Sequence, residues 1–235
     1  LSISPVPAVE VARPMSLRQL FAGSPLGTVG IFLLGSVYAT QSGMGAVFGT
    51  EIGLGAAEVA LFVAMLFAGA LVLQYPVGWL SDRLDRRKLI FGAAAMGGAS
   101  CGLGWLAGSD LPWVEGAGLW PLLAAAFLAG GVTTPLYALL LAYTNDYLPA
   151  EDMPAASGGL VFTFGLGAIV GPLLTGWAME QLGPFAFWLV LGATFGVLGL
   201  YALYRMTQRA AAPAEETESY LGVLPTTSPV AVEAA

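Results

Sequence analysis

The sequence predicts an all-α integral membrane protein, with six transmembrane helices arranged as two inverted three-helix repeats. Three observations predict it. The 235-residue chain is 57% hydrophobic and only 10% charged, with a mean hydropathy of +0.78, whereas a soluble domain is roughly a quarter charged. Six stretches each hold the roughly 20 mostly apolar residues that a bilayer crossing needs. All eight cations fall in places that six crossings bring to one face.

Residues 1–24, with Pro5, Pro7 and Pro14, read as a polar cytoplasmic leader, and "SLRQLFAG" (16–23) reads as a short amphipathic surface helix. No apolar core follows a basic start, so no cleavable signal is expected. The bundle spans 25–206, with crossings at about 25–48, 57–80, 89–107, 119–143, 156–180 and 184–204. Pro25, Pro121 and Pro184 stand near helix starts, where a missing N–H costs nothing. Residues 207–235 carry four acids among Ala, Pro and Thr, the composition of a disordered acidic tail.

Orientation follows from the cations. Arg13 and Arg18 precede the first crossing; Arg83, Arg86, Arg87 and Lys88 lie between the second and third; Arg205 and Arg209 follow the sixth. The opposite loops hold Glu51, Glu58, Asp110, Glu115 and Glu180 and no cation. By the positive-inside rule both termini are cytoplasmic.

An internal echo supports the repeat. "FLLGSV" (32–37) returns as "FLAGGV" (127–132), and "GWLSDRL" (78–84) as "GWAMEQL" (176–182). Three-helix units must insert in opposite orientations, the inverted-repeat plan of many secondary transporters.

Composition also excludes chemistry. There is no histidine and one cysteine, Cys101, so an internal disulfide is impossible and a Cys/His metal site or a His-ligated haem is not expected. No cofactor and no nucleic-acid partner is implied. No Asp, Glu, Lys or Arg lies near the middle of a crossing, which removes the paired groups an intramembrane enzyme would use. The expected partners are the bilayer and a small solute.

The densest charge is "DRLDRRK", where six of the seven positions from Asp82 to Lys88 are charged. With Gly78, Leu80 and Ser81 it resembles the signature loop of the major facilitator superfamily, Gly-x-Leu-Ala/Ser-Asp-Arg-x-Gly-Arg-Arg/Lys. Gly78, Asp82, Arg83, Arg86 and Arg87 match, and Asp85 stands where the family usually has glycine. The resemblance implies a cytoplasmic conformational lock. In it Asp82 faces the start of the fifth helix, near Ser157 and Gly158, and Arg86 or Arg87 meets Asp146 at the end of the fourth. It also implies secondary active transport of a small solute by alternating access, in a bacterial inner membrane.

Other features join this resemblance. "GLGAIVGPLLTGW" (165–177) is similar to the Gly-Pro motif of facilitator fifth helices, with Gly167 and Gly171 as a close-packing face and Pro172 as a hinge. Those glycines are expected to pair this bundle with another. In the facilitator fold the first and fourth helices line a central cavity, which assigns Tyr38, Gln41, Thr133, Thr134 and Tyr137 to it; Gln74 in the second is a further polar candidate. No arginine occupies the fourth helix, where amino-terminal halves usually carry Arg-x-x-x-Gly, and the leader looks like the end of a central loop. Helices two to six most resemble carboxy-terminal halves of the bacterial YcaD-like group. The expectation is therefore one half of a major facilitator fold, completed by an amino-terminal half or a second copy. The alternative is a six-helix channel or accessory subunit, for which neither the loop nor the echo has a use.

Overall fold

The computed structural model describes residues 15–108, 116–149 and 152–208, and among them every regular element is helical. The expected leader before residue 15, the acids Asp110 and Glu115, and the expected tail beyond 208 lie outside the described residues. Ser16 opens α1 (Leu17–Gly23): its Oγ accepts from the Gln19 N–H, and Gln19 Oε1 accepts from the Ser16 N–H, a reciprocal cap that satisfies two otherwise orphaned donors. Pro25 begins α2 (Pro25–Ala39), which passes through a π-helical turn, Thr40–Met44, into α3 (Gly45–Glu51). Together they form the first crossing. The others are α4 (Ala56–Ser81), α5 (Arg86–Leu106), α6 (Trp120–Asn145), α7 (Met153–Leu182) and α8 (Ala186–Gln208). Six helices are thus long and apolar enough to span a membrane.

Several helices run past the apolar limits. α5 starts at Arg86 rather than 89, and α7 at Met153 rather than 156. Hydropathy stops where charge begins, whereas a helix stops where its end groups find other partners. Asp85 caps α5, its Oδ1 accepting from the Arg87 N–H at 3.0 Å. Its φ is −55°, so this turn does not use the left-handed conformation for which the family's glycine is suited. The last crossing begins at Ala186, after Gly183 at φ +86°; Pro184 lies between them, ahead of the helix rather than at its start.

α6 is the axis of the bundle. It is almost wholly buried and packs against α4, α5 and α2, while α7 lies on α2 and α8 on α5. The outer faces of α4 and α7 display Leu71, Tyr75, Leu173 and Trp177, as lipid- or partner-facing helices do. At the end of the bundle where α3 finishes, Phe48 stacks on Phe187 with centroids 4.9 Å apart, and Trp188 meets both edge-on.

Two crossings of backbone on backbone set the geometry. A Cβ at Gly35 would strike the Phe164 carbonyl oxygen, and one at Gly167 the Phe32 carbonyl oxygen, so α2 and α7 touch main chain to main chain. The same reciprocal arrangement joins α6 to α4: Gly130 against the Leu66 carbonyl, Gly69 against that of Phe127. Phe32 and Gly35 are the residues that the echo matches to Phe127 and Gly130. This placement corrects one expectation. Gly167 and Gly171 are not a free face for pairing with another bundle, because Phe32 and Ser36 of α2 fill it. Pro172 lies in α7, which continues through it to Leu182.

Candidate functional site

The arginines of the charged loop between α4 and α5 are held in three separate ways. Arg86, 6% exposed, reaches across to α6, where its Nη1 contacts Asp146 Oδ1 at 2.5 Å and the Ala142 carbonyl at 3.3 Å. Arg87 turns back on the cap, its Nη2 donating to Asp85 Oδ2 at 2.8 Å and its Nε to Oδ1 at 3.1 Å. That guanidinium holds the Asp85 carboxyl below its ordinary value of 3.8, against the opposing effect of partial burial. Arg83 stays on its own helix, donating to the Trp79 carbonyl at 2.9 Å with its guanidinium 4.1 Å from the Trp79 ring centroid, a cation–π seat. Of the two arginines that the sequence leaves open for Asp146, the geometry selects Arg86.

Asp82 caps α4 and, with Gly78, Gln74, Tyr75 and Trp79, lines an open groove on its outer side. Gln74 is therefore apart from the other polar candidates. Because α7 begins at Met153, the Ser157 and Gly158 amides lie beyond its first turn, and the Ser157 hydroxyl donates to the Met153 carbonyl. The α7 start is thus nearer the Asp152 cap than the expectation placed it.

The second place is a small, half-open pocket between the π turn, α4 and α6, of about 20 Å³, room for roughly one water molecule. Tyr38, Gln41, Ser42, Thr133 and Thr134 form its polar wall, and Leu66, Phe67 and Ala70 its apolar wall. Four of the five cavity candidates meet here. Tyr137 does not line it; its ring is buried edge-on against Phe164, 5.5 Å between centroids, and Tyr38 approaches the same ring at 5.9 Å. Just past the π turn, Gly45 faces Phe62 and Leu66.

Sequence reasoning missed Ser42, Phe164 and the π turn. The dipeptide Ser42–Gly43 is the one local signal for that turn, because such pairs mark irregular backbone. Among the described residues no group of His, Cys, Asp or Glu is placed to hold a metal ion.

A family model described as the Major Facilitator Superfamily matches residues 26–232. The chain belongs to that superfamily. This facilitator is 32% identical over 123 residues to the uncharacterized MFS-type transporter YfkF of Bacillus subtilis, covering 52% of this chain and 29% of that protein. It is 29% identical over 203 residues to monocarboxylate transporter 11 of Homo sapiens, covering 83% and 41%. It is 28% identical over 149 residues to the inner membrane transport protein YajR of Escherichia coli, covering 61% and 30%. The chain spans less than half the length of these curated relatives. The facilitator is a multi-pass membrane protein of a transporter family rather than an enzyme.

Proposed function

We propose that this facilitator chain performs secondary active transport of a small solute by alternating access, as the carboxy-terminal six-helix half of a twelve-helix transporter. It sits in the cell's inner membrane with both termini cytoplasmic. The observation that carries the reading is the buried Arg86–Asp146 pair. It ties the start of α5, the last crossing of the first three-crossing unit, to the end of α6 in the second. An ion pair at such a seam can hold one packing of the two units and release it in another, which alternating access requires. Gly78 is buried near the end of α4; Asp82, Arg83 and Arg87 shape the loop that delivers Arg86.

The solute site in this reading is the wall formed by Tyr38, Gln41, Thr133 and Thr134, with Tyr137 supporting it through Phe164. The reciprocal glycine contacts of α2–α7 and α4–α6 support the inverted repeat. The lack of an arginine in α6 and the likeness of helices two to six to YcaD-like proteins support the carboxy-terminal assignment. Since the site of such a transporter lies between two bundles, the missing wall belongs to an amino-terminal half or a second copy.

Purified chain reconstituted in vesicles, with and without a co-expressed amino-terminal half, tests this against a panel of labelled solutes. Saturable uptake only in the presence of the second half is expected. Uptake by the monomeric chain alone, or an ungated leak of all solutes, would overturn the reading, the leak in favour of a channel.

A further inference from the structure

The close backbone contacts pair α2 with α7 and α6 with α4; α2 and α6 meet each other through polar side chains. Where α2 starts and α6 ends, Ser24 Oγ donates to Thr144 Oγ1 at 3.3 Å in a buried hydrogen bond. Further along, the pocket at the π turn sets Tyr38, Gln41 and Ser42 of the first crossing across from Thr133 and Thr134 of α6. Gln41 is 5% exposed, and its Nε2 has no hydrogen-bond partner among the described residues. Ser42 Oγ gives its proton to the Tyr38 carbonyl at 2.8 Å, and Thr133 Oγ1 gives its proton to the Ala129 carbonyl at 2.8 Å. Towards the pocket both are therefore acceptors, whereas the Tyr38 and Thr134 hydroxyls can turn to donate or to accept.

A buried amide donor left unpaired in a low-dielectric setting is costly, and the pocket's size says what can meet it. About 20 Å³ admits one water and no larger ligand, and a water held in protein needs two to four polar partners. A monatomic cation would face the Gln41 Nε2 donor, and a monatomic anion would face the Ser42 and Thr133 acceptors. Water both accepts and donates, so it alone suits both kinds of group. We propose that this pocket is a hydration site for a single water molecule that bridges the π turn to α6. The water accepts from Gln41 Nε2 and donates to Thr133 Oγ1, with its second proton directed to Ser42 Oγ or Thr134 Oγ1, and Leu66, Phe67 and Ala70 line its apolar side. Gln41 is then a positioning residue that acts on α6 through the water. The bridge is the second polar tie between α2 and α6, after Ser24–Thr144.

The test reads hydration and stability rather than uptake, so it stands apart from the transport reading. Solid-state NMR of the full chain in lipid bilayers, with magnetisation transferred from water protons, should show transfer to the Gln41 side-chain amide. The transfer should vanish when Thr133→Val and Thr134→Val are combined, although Gln41 is retained. In denaturant unfolding, Gln41→Leu and Thr133→Val should each lower the folded-to-unfolded ratio about five- to tenfold, the loss of one buried hydrogen bond. Together they should cost little more than the larger single change, because both remove the same bridge. Melting should be the same in sodium, potassium and choline chloride. No transfer to Gln41, or transfer that survives the loss of both threonines and so reports bulk water, would overturn the proposal. Additive losses, a stabilising Gln41→Leu, or melting raised by one alkali cation alone would do the same, the last in favour of an ion site. Should the variants fail to fold, the transfer in the wild type decides by itself.

Discussion

Asp146→Asn is the most informative single change, because it removes one partner of a buried pair while keeping its shape. In the native bundle the side chains of Arg86 and Asp146 are 5% and 4% exposed, so both charges are withdrawn from water. Substituting the carboxylate removes the charge 2.5 Å from Arg86 Nη1 and keeps the Ala142 carbonyl at 3.3 Å as a neutral acceptor. Breaking a buried pair in this way costs about 3–5 kcal/mol, whereas an exposed pair contributes about 0–1 kcal/mol. At 1.4 kcal/mol per tenfold, the expected loss is roughly two to nearly four powers of ten in the folded-to-unfolded ratio. Replacing both partners with apolar residues, Arg86→Met with Asp146→Leu, should recover most of it, since no stranded charge remains. Unfolding by dodecyl sulfate, followed by circular dichroism for the wild type, both single variants and the double variant, measures the cycle. A cost below about 1 kcal/mol for Asp146→Asn would refute the reasoning, by showing that water reaches the pair and screens it.

Gly167→Val should destabilise the bundle by more than about 1–3 kcal/mol, the usual range for overpacking, because the new side chain meets the Phe32 backbone; Gly43→Ala, with open space around it, should leave thermal unfolding unchanged. Asp85→Ala should cost about 0.5–2 kcal/mol through loss of the α5 cap. Because the folded carboxyl lies below its ordinary 3.8, that contribution is complete above the unfolded value and is lost only as pH falls through the lowered one. The cost should therefore be equal at pH 5 and pH 8 in denaturant titrations. For topology, single cysteines at the exposed positions Lys88 and Gly116 in a Cys101→Ser background should react with an impermeant maleimide only at 116 from outside intact cells. Labelling at 88 would reverse the orientation.

What the sequence by itself determined was everything that depends on composition along the chain. Six crossings follow from apolar length, because no water is available to an exposed backbone in hydrocarbon and only a complete helix satisfies its own groups. The place of the charged loop between α4 and α5 follows equally, since charge cannot remain inside a crossing at low cost. The cavity candidates Tyr38, Gln41, Thr133 and Thr134 were legible because hydroxyl and amide groups stand out in apolar text. The tertiary structure decided what depends on which surface meets which. It chose Arg86 over Arg87 for Asp146, because Asp85 captured Arg87 within one turn of helix, a local competition that spacing alone leaves open. It buried Gly167 and Gly171 against α2, since a small-residue face records that some backbone approaches closely but not whose. It also placed a π turn at Thr40–Met44 in the first crossing. The pocket beside it, with the Gln41 Nε2 left unpaired, exists only in the assembled bundle.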